Sequence, residues 1–179
     1  MSDILEHLHR DHRNMVKLLD LLDDHVGKIA DGTEDNYALL ADIVKYFNHY
    51  PTSSHHPYED KIFSWVCRER PALSPVVEEL RREHESQAIL GEDVSVFLAG
   101  VVSGHMVPRQ KIVDELKEYS TIQRAHIDKE EGYLLKETEK LLREANLEEI
   151  PLPDRADVDP LFGDQIDNEY QDLFEALNA

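Results

Sequence analysis

Six side chains of metal-ligand type recur at spacings that helices can exploit: His12, His55 with Glu59, His84, and His126 with Glu130. Two of these groups share the pattern His-x-x-x-Glu, in "HHPYE" and "HIDKE". On an α-helix, positions i and i+4 lie on one face a turn apart, so each pair can present an imidazole and a carboxylate to one metal centre. Imidazole nitrogen with carboxylate oxygen suits iron or manganese, and two carboxylates can bridge a pair of such ions. Structural zinc usually takes thiolates, which the single cysteine, Cys67, cannot supply. The H-E-x-x-H of zinc proteases is absent. Ferritin-like bundles hold paired iron through Glu-x-x-His at a spacing of three, whereas here the order is reversed and the spacing is four.

Taken singly, each histidine on a core face reads as a hydrogen-bonded core residue. The glutamates are harder to dismiss, because an unpaired buried carboxylate is strongly destabilising. Two of them, each four residues after a histidine and level with two further seam histidines, call for a cation.

That levelling depends on the helices. Residues 3–31 carry Leu5, Leu8, His12, Met15, Leu19, Leu22, Val26 and Ile29 in alternating steps of three and four, the seam of an antiparallel bundle helix. Gly32 ends this helix, and Thr33 or Asp35 is placed to cap the next. A second helix over 35–67 contains Pro51 and Pro57, which predicts a kink or break near 51. The third, over 74–101, puts Val77, Leu80, His84, Gln87, Gly91, Val94, Leu98 and Val101 on one stripe. The fourth, over 108–145, does so with Ile112, Leu116, Tyr119, Gln123, His126, Glu130, Leu134 and Leu141, with Pro108 in its first turn. Short links make neighbours antiparallel, so the expected fold is all-α, an up-down-up-down four-helix bundle. At 1.5 Å per residue the four histidine positions fall roughly 25–30 Å from the same end of it.

The expected organisation is a bundle over 1–145 and an acidic, proline-containing tail over 146–179. The first half of the tail reads as an extended linker. Leu161, Phe162, Ile166, Tyr170, Leu173, Phe174 and Leu177 then trace one face of a short helix that packs back on the bundle or joins a second copy in a homodimer. With 179 residues the chain can bury a real core. A formal charge of −19 argues against nucleic acid or an anionic membrane surface as partner. A lone cysteine fits a reducing cytoplasm, and the opening "MSDILEHLHRDH" has no basic or apolar leader character. No apolar run approaches a membrane span.

The runs "RDH" at His12, "HHPYEDKIF" at 55–63, "REH" at His84 and "HIDKEE" at 126–131 resemble the hemerythrin-like family, the HHE cation-binding domain, over roughly residues 3–142. The resemblance implies a four-helix bundle with a non-haem di-iron centre. Its ligands would be His12, His55, Glu59, His84, His126 and Glu130, with both glutamates as bridges. One departure stands out. Oxygen-carrying members have a second histidine a turn from the third-helix ligand, and here those neighbours are Leu80 and Ala88. His56, or else Tyr119, is the candidate to complete the set. The small pair Ala88 and Gly91 suggests room for a small ligand beside the iron, unless an aromatic side chain fills it. His7, His9, His25, His49 and His105 read as solvent-facing. Three functions follow from the resemblance: binding O2 or NO as a sensor or reservoir, a di-iron redox enzyme acting on peroxide or as an oxidase, and iron delivery or iron–sulfur repair. The third is weakened by the lack of a cysteine-bearing N-terminal domain.

Overall fold

A computed structural model describes residues 3–148, 150 and 159–179. Helix α1 (Asp3–Asp31) carries Asp3 and Glu6 in its first turn and Lys28 in its last, charges that complement the helix dipole. Gly32 closes it at φ +72°, where the Thr33 amide reaches back to the Lys28 carbonyl. Asn36, rather than Thr33 or Asp35, caps the next helix, its side chain accepting from the Leu39 amide at 3.3 Å.

Helix α2 (Tyr37–Tyr50) does not break at Pro51. The chain runs on through a π-turn, Pro51–His55, into α3 (His56–Glu69). A wide turn relieves the clash of a proline ring with the carbonyl four residues back, and such turns recur at functional sites. Here it ends on His55, and both His55 and His56 are buried, whereas neighbours on a regular helix face directions about 100° apart. Helix α4 is Ser74–Val102 and α5 is Arg109–Lys129, with Pro108 just outside α5 as its cap residue. A second π-turn, Glu130–Leu134, joins α5 to α6 (Leu135–Glu144).

Helix α1 packs along α5, and α2 along α4; α1–α2 and α4–α5 contacts close the bundle. The apolar stripes meet in two separate clusters. One gathers Leu18, Leu22, Ile43, Leu98, Leu116 and Tyr119, and the other Leu5, Leu8, Ile62, Phe63, Leu80 and Leu134. Burying each such side chain contributes about 1.5–3 kcal/mol, enough for the clusters to hold a polar layer between them. That layer contains the histidines and glutamates singled out above.

The C-terminal segment packs on the bundle through Leu161, Tyr170 and Leu173, all buried, and its short helix α7 (Gln171–Leu177) touches α1 and α2. The Tyr46 hydroxyl donates to Asp159 at 2.9 Å, and Asp159 also accepts from the Leu161 and Phe162 amides. Most of the extended linker expected from the sequence, residues 149 and 151–158, lies outside the described residues. No described helix is long and apolar enough to cross a membrane.

Candidate metal centre

The structure brings His12, His55, His56, Glu59, His84, His126 and Glu130 into one buried layer. The nitrogens form two sets, His12 with His55 and His56 with His84 and His126. Glu59 lies between them, its Oε1 3.4 Å from His55 Nε2 and 3.5 Å from His12 Nε2, its Oε2 3.6 Å from His84 Nε2. Glu130 mirrors it, with Oε2 3.3 Å from His12 Nε2 and Oε1 3.4 Å from the Nε2 atoms of His84 and His126. Each carboxylate therefore turns one oxygen to each histidine set.

The outer face of the imidazoles is organised as well. His55 Nδ1 donates to Asp11 at 3.1 Å, and Asp11 accepts from the Tyr50 hydroxyl at 3.1 Å. His12 Nδ1 donates to Glu131 at 2.8 Å, and His9 holds the same carboxylate. His126 Nδ1 donates to Glu83 at 2.9 Å, and Lys129 pairs with Glu83. A carboxylate on Nδ1 fixes the tautomer and leaves the Nε2 lone pair facing inward, the usual support for a metal-bound histidine. These acids escape a search for ligands, yet each adjoins one in "RDH", "REH" and "KEE". A residue next to a ligand points about 100° round the helix. Asp11, beside His12, thus serves His55; Glu83, beside His84, serves His126; Glu131, beside Glu130, serves His12.

The electrostatics reflect the crowding. Burial opposes charge on His12, but the carboxylates of Glu130, Glu131 and Glu59, all within 3.5 Å, outweigh it and hold its pKa well above the ordinary value. Burial likewise opposes charge on His55 and His84, and Glu59 and Glu130 respectively reverse the balance. His56 is the exception: burial and then neighbouring His84 push its pKa well below the ordinary value, leaving a neutral imidazole. For Glu59, burial is overcome by His55 and His12, which hold the carboxyl well below its usual range.

Several expectations need correcting. The space at Gly91 is neither a ligand pocket nor filled by an aromatic ring. Asn48, held by Ser95, approaches so closely that a Cβ at 91 would lie 1.8 Å from its Oδ1. Ala88 is half-buried, and the inward position after His84 is Gln87. Tyr119 packs edge-on against Phe47, two turns before His126, with its hydroxyl toward Gln123. His9 and His25 are not simply solvent-facing: their side chains are 18 % and 13 % exposed and hold Glu131 and Glu34. His105 is exposed as expected.

The donor set fits a cation. Glu59 is fully buried, and neither oxygen has a hydrogen-bond partner among the described residues. A carboxylate so placed is costly without a positive charge beside it. A helical bundle with a buried histidine–glutamate layer at mid-height is a cation-binding bundle. The family model of the hemerythrin HHE cation binding domain matches residues 3–138, and the chain belongs to that family. No curated protein and no solved structure matches it.

Proposed function

We propose that the chain holds two iron ions bridged by Glu59 and Glu130 and binds O2 or NO as a sensor or reservoir. The observation carrying this reading is that two buried carboxylates each turn one oxygen to either histidine set. His12 and His55 would hold one ion, and His56, His84 and His126 the other; both sets with their carboxylates stop short of six donors. Bound iron would supply reversible ligation of small molecules and one-electron redox change. Asp11, Glu131 and Glu83 hold the imidazoles in their ligating tautomer, and the flanking apolar clusters keep bulk water out.

A redox enzyme is the second reading, favoured by the hydrogen-bonded series from Tyr50 through Asp11 to His55, which could pass a proton. Iron–sulfur repair finds less support, since Cys67 is the only thiol. A reducing cytoplasm remains the proposed setting. A homodimer through the C-terminal helix would use the outer face of α7, where Phe174 is 38 % exposed. Optical spectra of iron-loaded, reduced protein exposed to O2, NO and then peroxide separate the readings. A reversible spectral change expresses binding; sustained consumption of peroxide would replace it with the enzyme.

A further inference from the structure

Three polar side chains lie beneath the centre, and the metal ligands do not account for them. Helices α4 and α5 are antiparallel, and the His84 and His126 rings are 4.9 Å apart. Gln87, three residues after His84, and Gln123, three before His126, therefore sit level with each other, roughly 4.5 Å along the axis from the histidines. Tyr119 lies about one turn further on the same stripe. Gln87 is 5 % exposed, and neither its Oε1 nor its Nε2 has a hydrogen-bond partner among the described residues. The Tyr119 hydroxyl is fully buried and faces Gln123, yet it too makes no hydrogen bond of good geometry. Buried amides and hydroxyls are seldom left this way, and each such group calls for a reason.

The Gln87 end of this group has a route to solvent. A cavity of about 380 Å³ lies between α4 and α5, with Leu90, Ile122 and Ala125 on its walls and the buried Gln87 and His126 among its lining. Its walls are mostly apolar, and the chain's net charge of −19 repels anions. A small uncharged molecule is the ligand class that such an entry admits.

We infer that Gln87, Gln123 and Tyr119 form a hydrogen-bonding floor for a small uncharged ligand of the centre, which enters through the α4–α5 cavity. This rests on the proposed reading that the layer holds iron. An amide on this floor can donate to a diatomic ligand on the adjacent centre, and the unfilled capacity of Gln87 is what the ligand satisfies.

The test uses the full chain, iron-loaded and reduced, with nitric oxide as the probe. Binding is followed by electron paramagnetic resonance, the N–O stretch by infrared, and the rates by stopped flow. Gln87→Met should keep the wild-type iron content, shift the N–O stretch and release nitric oxide about 2–12-fold faster, the equivalent of one net hydrogen bond. Metal-free Gln87→Met should melt no lower than wild type, because an unpartnered amide has been replaced by an apolar chain of similar length. Ile122→Trp should slow association and release by the same factor, because the ligand leaves by the route it enters, while leaving the stretch and the affinity unchanged. An unchanged stretch and release rate in Gln87→Met, or a lower melting temperature, would overturn the floor. Unchanged association in Ile122→Trp would overturn the entry route. Wild-type protein that takes up iron and ignores nitric oxide overturns the inference and leaves the metal site standing; failure to take up iron overturns both.

Discussion

On the α1 side of the centre, His12 and His55 each give their outer nitrogen to a carboxylate that is itself held, Glu131 by His9 and Asp11 by Tyr50. On the α4 side, His126 gives its outer nitrogen to Glu83, which is partly exposed and shared with Lys129. His84 Nδ1 has no hydrogen-bond partner among the described residues and lies 3.7 Å from Asp60. Beside His126 lies the α4–α5 cavity, which the unpartnered Gln87 also lines. The same residue types thus make one side whose outer nitrogens are all tied and another that is under-satisfied. Tied nitrogens fix the donors; an untied one leaves room for adjustment.

The most drastic break of this arrangement is removal of a shared carboxylate. Glu59→Ala leaves imidazoles of both sets without the oxygen that links them, and elemental analysis should find at least one iron fewer per chain. Wild-type iron content would show that Glu59 is not a bridge. The next effect separates the sides. Losing an outer carboxylate typically costs 10–100-fold in metal affinity. Asp11→Ala, on the α1 side, should fall near the upper limit, because Asp11 is 2 % exposed. Glu83→Ala should fall near the lower, because Glu83 is 30 % exposed and already partly solvated. Competition with a chelator measures both, and the reverse order would contradict the contrast.

A proton titration of the metal-free protein sharpens it further. His12 has a folded pKa raised above 6.5, so its contribution to stability is fully present below pH 6.5 and is lost as pH rises through the raised value. Glu59 has a folded pKa lowered from 4.5, so its contribution is present above pH 4.5 and is lost as pH falls through the lowered value. Metal-free protein should therefore melt highest toward the upper end of about pH 4.5–6.5, because His56, with its lowered folded pKa, costs stability as pH falls below 6.5, whereas iron, which needs neutral imidazoles, should bind more tightly as pH rises above that window. By NMR, His12 should be charged at pH 6.5 in the metal-free protein and His56 neutral. His56 charged at that pH would place the two sides in the same electrostatic class. The smallest effect on the centre is expected from deleting residues 159–179. The loss of buried Leu161, Tyr170 and Leu173 should lower the melting temperature by about 5–15 °C, some 2–4 kcal/mol at this chain length. Iron content should not change, and a change would make the tail part of the centre.

The bundle was largely legible in the sequence because its signal is local and periodic. Every seam residue of the third helix, from Val77 to Val101, is buried as the three-four spacing predicts. The donors were legible because histidine and glutamate four apart share a face, and their levels follow from helix length alone. What escaped is what depends on contacts between helices. The acids at 11, 83 and 131 look like surface residues until the neighbouring helix is in place. Gly91 reads as empty space until Asn48 fills it. The two π-turns are one-residue departures from a period that otherwise holds, and proline at 51 signals disturbance without its form.

One quantity decides whether the carboxylates bridge: the iron bound per chain after loading the 179-residue protein anaerobically with ferrous iron and removing the excess. Elemental analysis with Mössbauer spectroscopy should find about two iron ions per chain in two inequivalent environments, one for each histidine set. One iron per chain, or two that are indistinguishable, would contradict the reading of Glu59 and Glu130 as bridges between unlike halves.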